Sequence, residues 1–363
     1  MAPGSAGSAR YSARMAADGR SGPGLSGAPA EPIVDPGWLA ARAAADTSAR
    51  AATIGTLLPE LINYLIKTVA RRDVLEIIDL GAGTGANQRW LAPRLPFRQR
   101  WIHLDHDPAI SRWMPLSADT MIIDGSVEAL GRLLASGNGD QRRLVTCSAL
   151  LDVLTAGEID AVCRAVIDNR VPALFSLTVT GTLSLTPVDP RDQGLLDAFN
   201  DHQRRAGRAG PHAATLTVNA LRAGKFTVRT QETSWQLSVS SDLAFVEQLL
   251  QERLDAAVAH DPSLAAIATS WLELRRSQLA LGILRIELGH CDILALPGRS
   301  LASRREVEDG ADVAAQAEPP YRSGQGIRKQ IGAREPYAGN AVPNQDRSSR
   351  QVEPVEQARR QEI

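Results

Sequence analysis

The chain has 363 residues, enough for one large domain or two small ones, and its 44% hydrophobic content supports a real core. Its formal net charge of −1 gives no electrostatic footprint for a nucleic-acid or membrane-surface partner. No apolar run reaches the ~20 residues of a membrane span, and the three cysteines, Cys147, Cys163 and Cys291, form no CxxC and no metal-ligand spacing.

Those cysteines read as buried free thiols of a reducing, cytoplasmic compartment. Residues 1–32 are rich in Gly, Ser, Ala and Pro, with Arg10, Arg14 and Arg20 but no apolar signal core. They read as a disordered leader. Asp35-Pro36 opens a helix expected over Gly37–Ala52. Arg42, Asp46 and Arg50 fall at i, i+4 and i+8 and share one face. That face is either solvated or a lid over a bound ligand, with one arginine reaching a carboxylate. A second helix, Thr56–Val69, carries Leu57, Leu58, Leu61, Ile62, Leu65 and Ile66 and completes a helical segment over 33–70.

Strand 1, Val74–Leu80, leads into the stretch LEIIDLGAGTGAN, Leu75–Asn87. The apolar run is long enough for a buried strand and too short for a helix. Gly81, Gly83 and Gly85 permit positive φ and close approach of a ligand, and a helix over Ala86–Leu95 follows. Gly81-x-Gly83-x-x-Ala86 also satisfies the loose dinucleotide fingerprint. Asp79, two residues before Gly81, would repel a pyrophosphate and suit a cationic ammonium. The segment Asp79–Gly85, DLGAGTG, closely resembles the first motif of class I S-adenosylmethionine-dependent methyltransferases. The resemblance implies that Asp79, Gly81, Ala82, Gly83, Thr84 and Gly85 bind the cofactor.

Strand 2, Trp101–Leu104, ends at Asp105, where an acid can accept two hydrogen bonds from a ribose diol. Asp105 matches the family's ribose position, and His106 stands beside it as a minor candidate for a chemical role. Asp107-Pro108 reads as the start of a further helix. After strand 3, Thr120–Ile123, come Asp124, Gly125 and Ser126. The resemblance puts Asp124 on the adenine amino group and the next two beside the ring; Asp124 as an N-cap for Val127–Ala135 is the alternative. Gly137–Gly139 reads as a turn. Strand 4, Leu144–Cys147, runs into SALLDVL, Ser148–Leu154. Many family members carry a histidine here and this chain carries Asp152. Asp152 either orients or deprotonates an acceptor, if buried, or caps the helix Ala156–Asn169.

Strand 5, Ala173–Thr180, precedes an irregular polar stretch, Gly181–Pro211, rich in Asp and Arg. This is the expected substrate-recognition segment; a solvated helix over Asp192–Ala206 is the other reading. A helix ending at Ala223 and strand 6, Phe226–Leu237, follow. A helical hairpin, Asp242–Ala259 and a partner opened by Asp261-Pro262, packs on the sheet or on a partner subunit. The last strand, Gly282–Leu296, is expected to break at Gly289-His290, with His290 structural. Residues 299–363 lack apolar periodicity and read as a disordered tail.

The element order implies an α/β, doubly wound Rossmann-like sheet with helices on both faces. The domain is expected over 33–298, with a cofactor core at 74–180 and substrate-side elements at 181–298. The resemblance adds seven strands, the last antiparallel beside the fifth, and S-adenosyl-L-methionine, leaving as S-adenosyl-L-homocysteine. The acceptor is expected to be a small molecule, with no nucleic acid, membrane or metal, and with a homodimer through the hairpin as the expected assembly. An NAD(P)-dependent oxidoreductase and a non-catalytic cofactor-binding scaffold remain the alternatives.

Overall fold

The structure, a computed structural model, describes residues 36–69, 73–106, 120–124, 127–136 and 142–298. These lie in the first of two units, Met1–Leu301; the second, Ala302–Ile363, falls outside the described residues. So do the leader, the tail, Asp107-Pro108, Gly125, Ser126 and the turn at Gly137–Gly139.

The elements in order are α1 (Pro36–Ala49), α2 (Ala51–Gly55), α3 (Leu57–Thr68), β1 (Val74–Leu80), α4 (Ala86–Leu91), β2 (Arg98–Asp105), β3 (Thr120–Asp124), α5 (Val127–Ala135), β4 (Arg142–Ser148), α6 (Ala156–Asp168) and β5 (Ala173–Thr186). Then come α7 (Asp192–Gln203), α8 (Ala213–Ala223), β6 (Phe226–Glu232), β7 (Trp235–Leu237), α9 (Leu243–His260), α10 (Ala265–Ala280) and β8 (Arg285–Pro297). The strand order is β3-β2-β1-β4-β5-β8-β6, with β7 paired to β8. Strands β1 to β5 run parallel, and β8 is antiparallel and inserted beside β5. This is the expected doubly wound Rossmann-like sheet with helices on both faces.

Alternation along β1 explains the two layers. Leu75 and Ile77 pack with α3 and α4, while Ile78 and Leu80 pack with α5, α6 and α8. A third cluster lies around β7 and the first half of β8, built by α1, α7, α9 and α10. No described helix is long and apolar enough to cross a membrane.

Four expectations need correction. The seven expected strands form the run β3-β2-β1-β4-β5-β8-β6, but the single strand expected over Phe226–Leu237 breaks at Thr233-Ser234 into β6 and the short β7, which pairs with β8 off that run. Strand β8 is continuous through Gly289-His290; a Cβ at Gly289 would lie 1.9 Å from Thr182 Oγ1, so glycine admits β5 rather than ending β8. The polar stretch after Thr180 is not irregular: β5 continues to Thr186, and α7 then forms the helix that the alternative reading put over Asp192–Ala206. Finally, Cys147 and Cys163 are buried but Cys291 is half-buried.

Candidate active site

The loop after β1 is shaped by backbone conformation. Gly81, Gly83 and Gly85 have φ of 63°, 55° and 75°, which a side chain would strain. Gly81 N and Ala82 N donate to Leu104 O at the end of β2, and Gly83 N donates to Asp105 Oδ2 at 2.7 Å. A Cβ at Gly81 would come within 2.8 Å of Leu150 Cδ1, from the segment after β4. Thr84 is tied to α4, its carbonyl accepting from Arg89 Nη1 at 2.7 Å. Six residues long, α4 offers only a short dipole to an anion.

Asp79 is fully buried at the end of β1. Its Oδ1 accepts from Asn87 Nδ2 at 2.7 Å, while Oδ2 has no hydrogen-bond partner. The nearest cationic-type group to Oδ2 is His103 Nδ1 at 3.7 Å, itself buried and unpartnered. Burial raises the Asp79 carboxyl to about 7, against the lowering effects of Asn87 and Arg50. Burial also lowers His103 to about 4, so its imidazole is neutral at pH 7. Nε2 of that ring meets Gln88 Oε1 at 3.0 Å.

Arg50 stands on the same side. It is 2% exposed, stacks 3.6 Å over the Trp90 ring and donates to Ser176 Oγ at 3.0 Å, and its Nε has no partner. Desolvation lowers it to about 10, which leaves it cationic. The three charges Arg42, Asp46 and Arg50, the last just past the end of α1, therefore divide. Arg42 forms a two-pronged pair with Asp46 at 2.9 and 3.1 Å, half-buried, and Arg50 turns inward to Ser176 and the Trp90 ring. The solvated-face reading fails because Trp235 Nε1, donating to Asp46 at 3.0 Å, covers the pair.

Asp105 is 9% exposed, and His106 Nδ1 lies 3.8 Å from its Oδ1. His106 itself is 45% exposed in its side chain. Asp105 and Asp124 are register partners, so the ends of β2 and β3 stand level. Gly125 and Ser126 lie outside the described residues.

A second group gathers past the ends of β4 and β5. The helix α6 is capped by Thr155, whose hydroxyl accepts from Glu158 N while Glu158 accepts from Thr155 N at 2.7 Å. This capping box overturns the reading of Asp152 as the cap. Asp152 instead sits on a short 3₁₀ turn, Leu151–Val153, with Oδ1 buried and unpartnered. Burial raises its carboxyl above the ordinary value, opposed by hydrogen bonding to its own backbone and by Arg42 and Arg253. Both arginines also act on His290, which burial pushes down to about 3. His290 Nδ1 meets Leu288 O at 3.0 Å, and its ring packs 4.9 Å from Trp235, a structural role.

The sequence singles out neither Asn87 nor Arg253, and it leaves open which of Arg42 and Arg50 turns inward. Arg253 did leave a signal: it lies at i+4 from Leu249 and at i−4 from Ala257, both buried, so it interrupts an apolar stripe. The polar stretch expected to recognise substrate is mostly committed elsewhere. Asp189 pairs with Arg191 at 2.7 Å, and Asp192 accepts from Trp271 Nε1 at 2.8 Å and from Arg275. A groove of about 720 Å³ between α9 and α10 takes in His202 of that polar stretch but none of the residues expected to bind the cofactor. Among the described residues no group of three His, Cys, Asp or Glu could hold a metal.

No family model and no curated protein matches the chain. Solved structures similar to it include the YcgJ protein from Bacillus subtilis, at 12% identity and a TM-score of 0.40, over 67% of this chain and 98% of that one. The cyclopropane synthase MmaA2 from Mycobacterium tuberculosis aligns at 11% identity and a TM-score of 0.32, over 65% of this chain and 83% of its own. The geranyl diphosphate C-methyltransferase from Streptomyces coelicolor A3(2), solved with Mg2+, geranyl diphosphate and S-adenosyl-L-homocysteine, aligns at 10% identity and a TM-score of 0.35, over 67% and 77%.

Proposed function

We propose that this chain transfers a methyl group from S-adenosyl-L-methionine to a small-molecule acceptor with an oxygen or nitrogen nucleophile. The observation that carries the reading is Asp79 Oδ2, buried and unpartnered beside a turn of left-handed glycines. An unsatisfied buried carboxylate oxygen suits a cationic ammonium group. A pyrophosphate in the same place would face that carboxyl and only a six-residue helix.

The cofactor supplies a methyl group made electrophilic by a cationic sulfur. Asp79 holds its ammonium end and Asp105 its ribose diol, while Asp124, Gly125 and Ser126 take the adenine. Leu150, packed against Gly81, keeps water from the loop. In the transfer, the acceptor's lone pair forms the new bond to the methyl carbon as the carbon–sulfur bond breaks and its electron pair returns to sulfur. Any proton leaving the acceptor passes to Asp152, whose burial raises its carboxyl above the ordinary carboxylate value and makes it a stronger base. In this reading His106, exposed beside Asp105, serves the ribose side of the site rather than the chemistry. A cytoplasmic location and assembly through α9 and α10 complete the reading.

Calorimetric titration with S-adenosyl-L-homocysteine, and in parallel with NADH, tests it. Micromolar binding of the first alone is expected. Binding of NADH alone moves the chain to the oxidoreductases, and binding of neither favours a scaffold.

A further inference from the structure

Arg253 is a cation with no ion-pair partner among the described residues. It enters from the middle of α9 and lies 4.2 Å over the ring of Phe199 on α7. No described side chain forms a hydrogen bond or ion pair with it, and its Nε is buried without a partner. Asp152 and Glu252 are the acids that act on it, yet neither comes within ion-pair distance. Glu252 lines the outer groove between α9 and α10, away from the sheet end. Arg42, the neighbouring guanidinium, is already neutralised by Asp46 and stacked over Trp235 at 5.0 Å.

Desolvated cations are retained in proteins when something pairs with them. The place beside Arg253 is reachable. Ser148, Ala149, Leu150, Asp152, Val179 and Arg253 are all half-buried. Leu150 also adjoins Gly81, the side on which the methyl group would arrive. Phe199 forms an aromatic wall beside the guanidinium, and one guanidinium without an ion pair matches one negative charge.

We propose that the methyl acceptor is a monocarboxylate, gripped by Arg253 with its planar fork while Phe199 flanks its carbon skeleton. A dianionic phosphate fits less well, because Asp152 stands beside the same guanidinium. The carboxylate is a handle and is unchanged by the transfer. The word acceptor rests on the methyl-transfer reading; the anion site rests on Arg253.

The test titrates the full chain, with and without saturating S-adenosyl-L-homocysteine, with benzoate, its neutral isostere benzamide, and phenyl phosphate. Arg253→Gln and Arg253→Lys are run alongside, with melting curves to verify folding. Benzoate should bind at least tenfold more tightly than benzamide and than phenyl phosphate. Arg253→Gln should lose tenfold or more for benzoate with unchanged S-adenosyl-L-homocysteine affinity, and Arg253→Lys, which keeps charge without the fork, should fall between. The proposal is overturned if benzamide or phenyl phosphate binds as well as benzoate, if Arg253→Gln binds benzoate like the wild type, or if the wild type binds no benzoate. Should Arg253→Gln fail to fold, the wild-type contrast of benzoate with benzamide decides alone. Absence of S-adenosyl-L-homocysteine binding together with Arg253-dependent benzoate binding would sink the methyl-transfer reading and keep the anion site.

Discussion

Burying the Asp79 carboxyl couples one proton to both folding and ligand binding. The folded carboxyl titrates near 7 and the unfolded one near its ordinary 3.8. Between these values the folded chain holds a proton that the unfolded chain releases, so stability falls as pH rises from about 4 to 7. Above 7 the penalty is complete, on the order of 4 kcal/mol. A bound ammonium reverses the sign, because it pairs with the ionised form. Affinity for S-adenosyl-L-homocysteine should therefore rise with pH up to about 7, with up to one proton released on binding at pH 6. Asp79→Asn separates the two effects. The variant should melt several degrees higher than the wild type at pH 8, yet bind the ligand more weakly by about 1.5–3 kcal/mol. Melting curves and calorimetry at pH 6, 7 and 8 check both. An Asp79→Asn chain with wild-type affinity would remove Asp79 from the site.

At the scale of the element, β5 shows how a long-range acid fixes a strand. Its register against β8 shifts between Phe175 and Thr178, where Leu177 takes φ of 54°. Asp292 of β8, fully buried, accepts from Leu177 N at 2.7 Å, from Thr53 Oγ1 at 2.8 Å and from Thr233 Oγ1 at 3.1 Å. The bulge turns Ser176 to Arg50 and sets where β5 leaves β4. Asp292→Ala would strand three buried donors and should cost roughly 3–5 kcal/mol in urea unfolding, against about 1 kcal/mol for Thr53→Val. Equal losses would mean that the bulge holds without the acid. The same element marks how far the sequence could be read. The bounds of β1 and α5 follow from local apolar runs and match the expected Val74–Leu80 and Val127–Ala135. The glycine loop was legible for the same reason, as its conformations belong to single residues. The extension of β5 and the split of β6 from β7 depend on pairing with β8, a partner far along the chain. The capping box Thr155–Glu158 lay in plain view as Thr-x-x-Glu and decides Asp152 against the cap. Whether Arg50 and Arg253 turn inward depends on tertiary packing; each signals only as a charge among apolar residues.

Across the whole molecule, the parallel sheet and the long arm of β5, β7 and β8 carry separate cores. The glycine loop belongs to the first, whereas Phe199 and the helix that carries Arg253 belong to the second. Arg275 ties the second core together. It is fully buried on α10, donates to Pro187 O at 2.6 Å and Gln278 Oε1 at 2.8 Å, and pairs with Asp192 of α7. Arg275→Met keeps most of the volume but leaves Asp192 without its cation and Pro187 O without a donor, a loss of roughly 3–5 kcal/mol. If the two cores are separable units, hydrogen exchange should quicken in α7, α9 and α10 while amides of β1, β2 and β4 stay protected. Affinity for S-adenosyl-L-homocysteine should then survive in the variant, and benzoate binding should fall, because only the arm presents Arg253. Uniformly faster exchange, with both ligands weakened in parallel, would mean that the sheet and its arm unfold as one unit. The division of labour drawn above would then have no basis in the molecule's energetics, and acceptor specificity could not be altered in the arm without disturbing the cofactor's grip.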